Sequence, residues 1–125
     1  MITFDEVGAI LDAIADELPH EFYNKLNGGV VLLPDVKFHP ASENRRDLYI
    51  MGEYTHDPRG LGRYIAIYYG SFVRLYGNSP PDAQKEQLRK VLLHEFTHHL
   101  ESLAGERGLE IKDKLRMDEY KRRYS

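Results

Sequence analysis

The stretch that decides the fold of this chain is Lys90-Val91-Leu92-Leu93-His94-Glu95-Phe96-Thr97-His98-His99-Leu100-Glu101. Wound as a helix with 3.6 residues per turn, it has one apolar stripe and one polar stripe on opposite sides. The apolar stripe consists of Leu92, Phe96, Leu100 and Leu103, and the polar stripe of His94, His98 and Glu101. Ser79-Pro80-Pro81-Asp82 suits a first turn, and Gly105 suits an end. The pattern predicts a helix over about residues 80–104 that buries its apolar side.

Two histidines of this stretch, His94 and His98, are four residues apart. On a helix they lie about 40° apart around the axis, so both imidazoles can reach one zinc ion at about 2.0–2.1 Å. Glu95 lies about 100° further round, where it can accept a proton from a water that attacks a carbonyl. This spacing is typical of zinc peptidases and predicts one zinc ion per chain, with Glu95 as general base. His99 points toward the packed side and is expected to be a hydrogen-bonded neighbour of the core.

A third ligand is needed, because catalytic zinc sites normally have three protein ligands and an open position. Six residues after His98, where some zinc peptidases have another histidine, the chain has Ala104. Glu101 lies on the ligand face and could approach the metal, but three ligands from one straight helix converge poorly on a tetrahedral ion. It is more readily explained as holding an imidazole N–H or as simply solvated. The other candidates lie beyond the turn expected at Gly105 or in earlier loops: Glu106, Glu110, Asp113, His56, His39 and His20. Asp113 is explained equally well as a helix N-cap, so the residues alone leave the third ligand open.

Length and composition narrow the class of protein. The 125 residues are expected to form one domain, 1–125, with a modest core. The 17 Lys and Arg against 20 Asp and Glu give a formal net charge of −3, which does not support nucleic-acid binding through a basic surface. There is no cysteine, so a metal must be held by His and carboxylates. No signal-peptide pattern or membrane-spanning run is present, and a cytoplasmic protein with no membrane partner is expected.

The remaining segments predict helices packed on a few strands. Thr3 and Glu6 form a capping box before an amphipathic helix. The predicted helices span about residues 4–17, 19–26, 72–76, 80–104 and 113–124. The predicted strands span residues 30–33, 47–54 and 63–69. Residues 35–46 are expected to be irregular, and 55–62 to form a turn. This order predicts an α+β domain with helices packed on a small sheet.

Two segments stand out together: residues 63–70, Arg-Tyr-Ile-Ala-Ile-Tyr-Tyr-Gly, and residues 92–99, Leu-Leu-His-Glu-Phe-Thr-His-His. They resemble a family of short bacterial zincin-like metallopeptidases, and the likeness extends loosely over about residues 30–120. The doubled His98-His99 is the more specific element. The resemblance implies a minimal zincin-like domain: a small three-stranded twisted sheet, an active-site helix beneath it, and an edge strand along which a peptide can lie.

The resemblance also bears on the third ligand. In many relatives of that family the zinc helix ends at a Gly soon after the doubled histidine, and an Asp that resembles a third ligand follows three residues later. Here Glu101 stands in place of that Gly, and the helix is predicted to continue to Gly105. After this insertion the Asp corresponds to Asp113. The resemblance therefore implies that His94, His98 and Asp113 hold the zinc ion.

The motif and the resemblance together predict a zinc metallopeptidase that cleaves peptides or flexible protein segments. Glu95 would activate water and pass its proton to the leaving amine. Tyr64, Tyr120 and Tyr124 are candidates to stabilise the oxyanion, and none is singled out. One alternative is a non-catalytic zinc-binding or interaction protein on the same scaffold, which would bind zinc without turnover that depends on Glu95. Another is a structural domain with a chance motif, which would bind no stoichiometric metal.

Overall fold

The computed structural model describes residues 1–42 and 48–107, with side chains through Gly105. These residues form an α+β structure, as predicted, with a small mixed sheet. The described helices are α1 (Phe4–Glu17), α2 (Tyr69–Tyr76) and α3 (Pro81–Arg107). The described strands are β1 (Gly29–Leu33), β2 (Lys37–Phe38), β3 (Tyr49–Ile50), β4 (Gly52–Asp57) and β5 (Gly62–Tyr68). Short 3₁₀ turns span His20–Tyr23 and Pro40–Ser42.

The main sheet has three strands in the order β1-β5-β4. β1 runs parallel to β5, with Val30 opposite Ile65. β4 runs antiparallel to β5 on its other side, with Tyr54 opposite the same Ile65. β4 therefore forms one edge of this sheet in the described part of the chain. Ile65 and Ile67 of the central strand belong to the core, so alternation places Tyr64 on the opposite face of the sheet.

Helix α3 lies against the core face of this sheet and contacts β4, β5 and α1. Its predicted apolar stripe is buried, because Leu92, Phe96, Leu100 and Leu103 are at most 6% exposed. Burying each such side chain contributes about 1.5–3 kcal/mol. The same core takes in the inner side of α1 through Val7, Leu11 and Ile14. Among the described residues, no helix has the length and apolar character needed to span a membrane.

Several predicted elements of local origin are confirmed. The capping box is complete, since the Thr3 N–H donates to Glu6 Oε1 at 3.0 Å and the Glu6 N–H to Thr3 Oγ1 at 3.1 Å. Helix α1 follows it over the predicted residues. The strand predicted at 30–33 is β1, and the strand predicted at 63–69 is β5, each within one residue. These elements are determined by short-range periodicity and capping.

The prediction of a single strand over 47–54 was wrong. The chain forms two strands there, and β3 pairs with β2 in a separate antiparallel sheet, with Phe38 opposite Tyr49. The rings of Phe38 and Tyr49 lie 5.1 Å apart, a cross-strand contact that stabilises this pairing. Residues 37 and 38 fall in a segment predicted to be irregular. A strand of two residues carries too little periodicity to be recognised before its partner is known.

Other boundaries also differ from the prediction. The helix expected over 19–26 is only the turn His20–Tyr23, and it ends before Lys25, whose φ is +63°. β4 continues to Asp57, into the segment predicted to be a turn. Helix α3 passes through Gly105 to Arg107 instead of ending there. A helical glycine costs only about 1 kcal/mol relative to alanine, so Gly105 does not by itself stop the helix. The helix predicted over 113–124 lies outside the described residues.

Candidate metal centre

The side chains of His94 and His98 converge on one point at the exposed face of α3. Their Nε2 atoms lie 3.1 Å apart, and the rings meet edge to face with centroids 4.5 Å apart. Two nitrogens bound to a tetrahedral zinc ion at about 2.0–2.1 Å would lie about 3.3 Å apart. The two imidazoles therefore fit a zinc ion with little movement. Both side chains are solvent-exposed, so the point between them can be reached from outside.

Glu95, the predicted general base, is placed beside this pair but in a different environment. It is only 6% exposed, and the backbone N–H of Tyr54 is a hydrogen-bond donor to its carboxylate. Burial raises the pKa of Glu95 above its usual range, against the opposing effects of His98 and the Tyr54 N–H. The negative charge of Glu53 acts in the same direction as burial. A carboxylate with a raised pKa is a better proton acceptor, which suits the role of general base.

Gly52 allows strand β4 to approach helix α3 at this site. A Cβ atom at residue 52 would lie 2.8 Å from Val91 Cγ1 and 3.3 Å from Glu95 Cγ. The first distance is shorter than real Cβ contacts allow, so a side chain here would force Val91 or the backbone around it to shift. The absence of a side chain at Gly52 thus keeps the edge strand against Glu95.

A cleft of about 430 Å³ opens next to His94 and Glu95. It lies between helix α3 and the segment that joins β3 to β4. Its lining residues are Tyr49, Ile50, Met51, Gly52, Gln87, Lys90, Val91, His94 and Glu95. A larger cavity of about 720 Å³ lies near the start of α1 and of α3, and none of the predicted site residues lines it. The smaller cleft is the candidate substrate site, because the proposed metal ligand His94 and the proposed general base Glu95 line it.

The described residues do not complete a metal site with three ligands. Within 1–42 and 48–107, no group of three or more His, Asp or Glu side chains is placed to hold a metal ion. Glu101 is exposed on α3, and the three histidines proposed from loops, His20, His39 and His56, are exposed as well. Glu106 lies in helix α3, where only its backbone is described. Glu110 and the predicted ligand Asp113 lie outside the described residues, so the third ligand stays a prediction.

The tyrosines proposed for the oxyanion are not brought to the site by the described structure. Tyr64 lies on the face of the sheet opposite α3, and Tyr120 and Tyr124 lie outside the described residues. Tyr54 was not singled out from the sequence, yet it lies against Glu95. Nothing local in the sequence links residues 54 and 95. Only the packing of β4 against α3 brings them together.

His99 is fully buried and hydrogen-bonded, as predicted. Its Nε2 lies 2.8 Å from the carbonyl oxygen of Asn24, and its Nδ1 lies 2.9 Å from the hydroxyl of Tyr54. Arg63 donates from Nη1 to the Tyr54 hydroxyl at 2.8 Å and also to Ser102 Oγ. Burial lowers the pKa of His99, and the charge of Arg63 lowers it further, against the bond to Asn24. A lowered pKa favours the neutral form of the ring at neutral pH.

Comparison with known proteins identifies a structural relative of this chain. No protein-family model matches the chain, and no curated protein matches it. Among solved structures, a conserved hypothetical protein from Thermus thermophilus is 33% identical, with a TM-score of 0.69. The match covers 83% of this chain and 99% of that protein. The chain belongs to the family of that protein. The shared family supports the α+β fold described above, and the description of the Thermus member states no activity.

Proposed function

We propose that this protein is a zinc-dependent metallopeptidase with a minimal zincin-like fold. The observation that carries the proposal is the convergence of His94 Nε2 and His98 Nε2, 3.1 Å apart, with the buried carboxyl group of Glu95 beside them. The resemblance of residues 63–70 and 92–99 to short bacterial zincin-like metallopeptidases points to the same function. The mixed sheet with α3 packed on one face is compatible with such a fold.

In this proposal His94 and His98 hold the metal together with Asp113. Bound zinc would polarise the scissile carbonyl and lower the pKa of a water molecule to about 7. Glu95 takes a proton from the attacking water and returns it to the leaving amine, so that the peptide bond is hydrolysed. The Tyr54 N–H orients the Glu95 carboxylate toward this task. Burial of Glu95 favours proton uptake by raising its pKa.

The proposed substrates are peptides or flexible protein segments. The cleft beside His94 and Glu95 is open to solvent, and the edge strand β4 borders Glu95. An extended segment can add to an exposed sheet edge through backbone hydrogen bonds. A cytoplasmic location belongs to the same proposal and rests on the sequence.

The first test is the metal content of protein purified without added metal or chelator. We expect about one zinc ion per chain in the wild type and none in His94→Ala. Asp113→Ala should also lose zinc while its circular dichroism stays unchanged. If the wild type holds no zinc even after incubation with the ion, the proposed function is wrong.

The second test separates an enzyme from a zinc-binding protein that does not catalyse. A peptide library should be cleaved by the zinc-loaded wild type and not by Glu95→Gln, which keeps the size of the side chain but cannot accept the proton. Glu86→Gln is the matched control, because it changes an exposed glutamate on the same helix about two turns before His94. We expect all three proteins to bind zinc. Equal cleavage by Glu95→Gln and the wild type would contradict the role of Glu95.

A further inference from the structure

Helix α3 carries two pairs of polar residues at the same spacing of four. His94 and His98 form the exposed pair, and Glu95 and His99 form the buried pair, with exposures of 6% and 0%. Because consecutive helical residues are about 100° apart, the two pairs face directions about 100° apart around one axis. Any restraint on the buried pair therefore also sets the direction in which the exposed pair points.

Tyr54 of strand β4 contacts both members of the buried pair. Its backbone N–H is a donor to the Glu95 carboxylate, and its hydroxyl lies 2.9 Å from His99 Nδ1. The main chain agrees with this arrangement. Met51 accepts a hydrogen bond from the Tyr68 N–H, so the alternation along β4 turns the N–H of Tyr54 away from β5 and toward the open edge.

The hydrogen bonds around His99 have one consistent direction. The carbonyl of Asn24 can only accept, so His99 Nε2 carries the proton and donates to it. In a neutral ring Nδ1 is then the acceptor, and the Tyr54 hydroxyl donates to it. The Tyr54 oxygen in turn accepts from Arg63 Nη1 at 2.8 Å. Both hydrogen bonds of the imidazole are satisfied, and the orientation of the Tyr54 hydroxyl is determined.

We propose that Tyr54 is a positioning residue, which sets the rotation of helix α3 about its axis and so aims His94 and His98 at their common point. The two adjacent histidines then have different roles. His98 binds the ligand, and His99 fixes the orientation of the helix through its hydrogen bonds. This inference rests on the proposed function for the identity of the ligand, zinc. The geometry of the Tyr54 network does not depend on it.

Hydrogen bonds can fix the rotation of helix α3 about its axis, whereas the contacts of its apolar stripe cannot. Contacts of Leu92 and Phe96 resist separation of the helix from the sheet, but dispersion contacts have little directional preference. Hydrogen bonds weaken steeply when their angles deviate, so two bonds from Tyr54 to residues one turn apart resist rotation. Rotation matters at this site, because misplacing reacting groups by about 1 Å can cost roughly 100-fold in rate.

The test compares Tyr54→Phe with Tyr69→Phe. Each variant removes one partly buried, hydrogen-bonded tyrosine hydroxyl. Tyr69 lies in helix α2, and its hydroxyl donates to the Ile2 carbonyl at 2.7 Å. Zinc affinity is measured by competition with a chelator, and stability by urea unfolding of the metal-free proteins. We expect both variants to lose stability, Tyr54→Phe more so because its hydroxyl has two partners, and zinc binding to be about tenfold weaker in Tyr54→Phe alone. Zinc affinity within twofold of the Tyr69→Phe control would overturn the proposal.

A second measurement does not need zinc. In the metal-free wild type, imidazole ¹⁵N resonances should show His99 as the Nε2–H tautomer. The resonances of His94 and His98 should shift in Tyr54→Phe and stay in place in Tyr69→Phe. An Nδ1–H tautomer at His99, or unchanged resonances of the exposed pair, would contradict the positioning role. If the wild type binds no zinc, the proposed function fails while this comparison still decides the role of Tyr54.

Discussion

The exposed pair and the buried pair of helix α3 have the same spacing and different surroundings. His94 and His98 face solvent, and their ring nitrogens meet at one point. Glu95 and His99 face strand β4, where the backbone of Tyr54 interacts with one and its hydroxyl with the other. Spacing on a helix brings side chains together, but the neighbouring element decides what the pair does. The exposed pair should therefore matter for metal binding. In the buried pair, Glu95 should matter for proton transfer and His99 for stability and orientation.

The largest difference between the effect on zinc binding and the effect on stability is expected from His94→Ala. It should abolish stoichiometric zinc binding, since the exposed pair supplies two of the proposed ligands. The free energy of unfolding of the metal-free protein should change by less than about 0.5 kcal/mol, as for other exposed positions. Metal analysis checks the loss of zinc, and urea unfolding of the same preparations checks the unchanged stability. A large loss of stability without metal would show that the exposed pair also holds the fold.

His99→Ala should show the reverse behaviour. The change removes a fully buried ring and leaves the Asn24 carbonyl and the Tyr54 hydroxyl without that partner. We expect the free energy of unfolding to fall by about 3 kcal/mol, from a cavity together with unmet polar groups. Urea unfolding measures the loss. His20→Ala, at an exposed histidine, is the control and should stay within about 0.5 kcal/mol of the wild type.

The close approach of β4 to α3 can be loosened at Gly52. Gly52→Ala places a Cβ atom 2.8 Å from Val91 Cγ1, and we expect a loss of about 1–3 kcal/mol from overpacking. Gly105→Ala is the matched control, because a Cβ atom there meets nothing within 4 Å and the residue lies in a helix. That variant should gain about 0.5–1 kcal/mol. Thermal unfolding distinguishes the two, and equal effects would argue against a tight contact at residue 52.

The smallest effect is expected from pH. Burial lowers the pKa of His99 in the folded chain, whereas in the unfolded chain it titrates near 6.5. The unfolded state then binds the extra proton as the pH falls below about 6.5, so His99 contributes less to stability at low pH. The difference in unfolding free energy between the wild type and His99→Ala should narrow from pH 7.5 to pH 5.5. Parallel urea titrations at both values check this, and a difference that grows at low pH would contradict a neutral buried ring.

Much of the fold was predictable because it depends on local patterns. The capping box at Thr3 and the periodicity after it predict α1, and the apolar stripe through Leu92 and Phe96 predicts the buried side of α3. The separation of β3 from β4 was not predictable. Two-residue strands have no periodicity of their own, and Tyr49 joins a second sheet only because Phe38 lies opposite.

The candidate site divides in the same way. By itself the sequence determined that His94 and His98 share a face of a helix and that Glu95 stands about 100° from them, because helix geometry converts spacing into direction. Only the tertiary structure decided that Glu95 and His99 are buried against Tyr54, and that Gly52 lets the strand come this close. The contacts of Tyr54 with Glu95 and His99 join residues 41 and 45 positions apart. The packing of whole elements creates them, and no local pattern records which elements will meet.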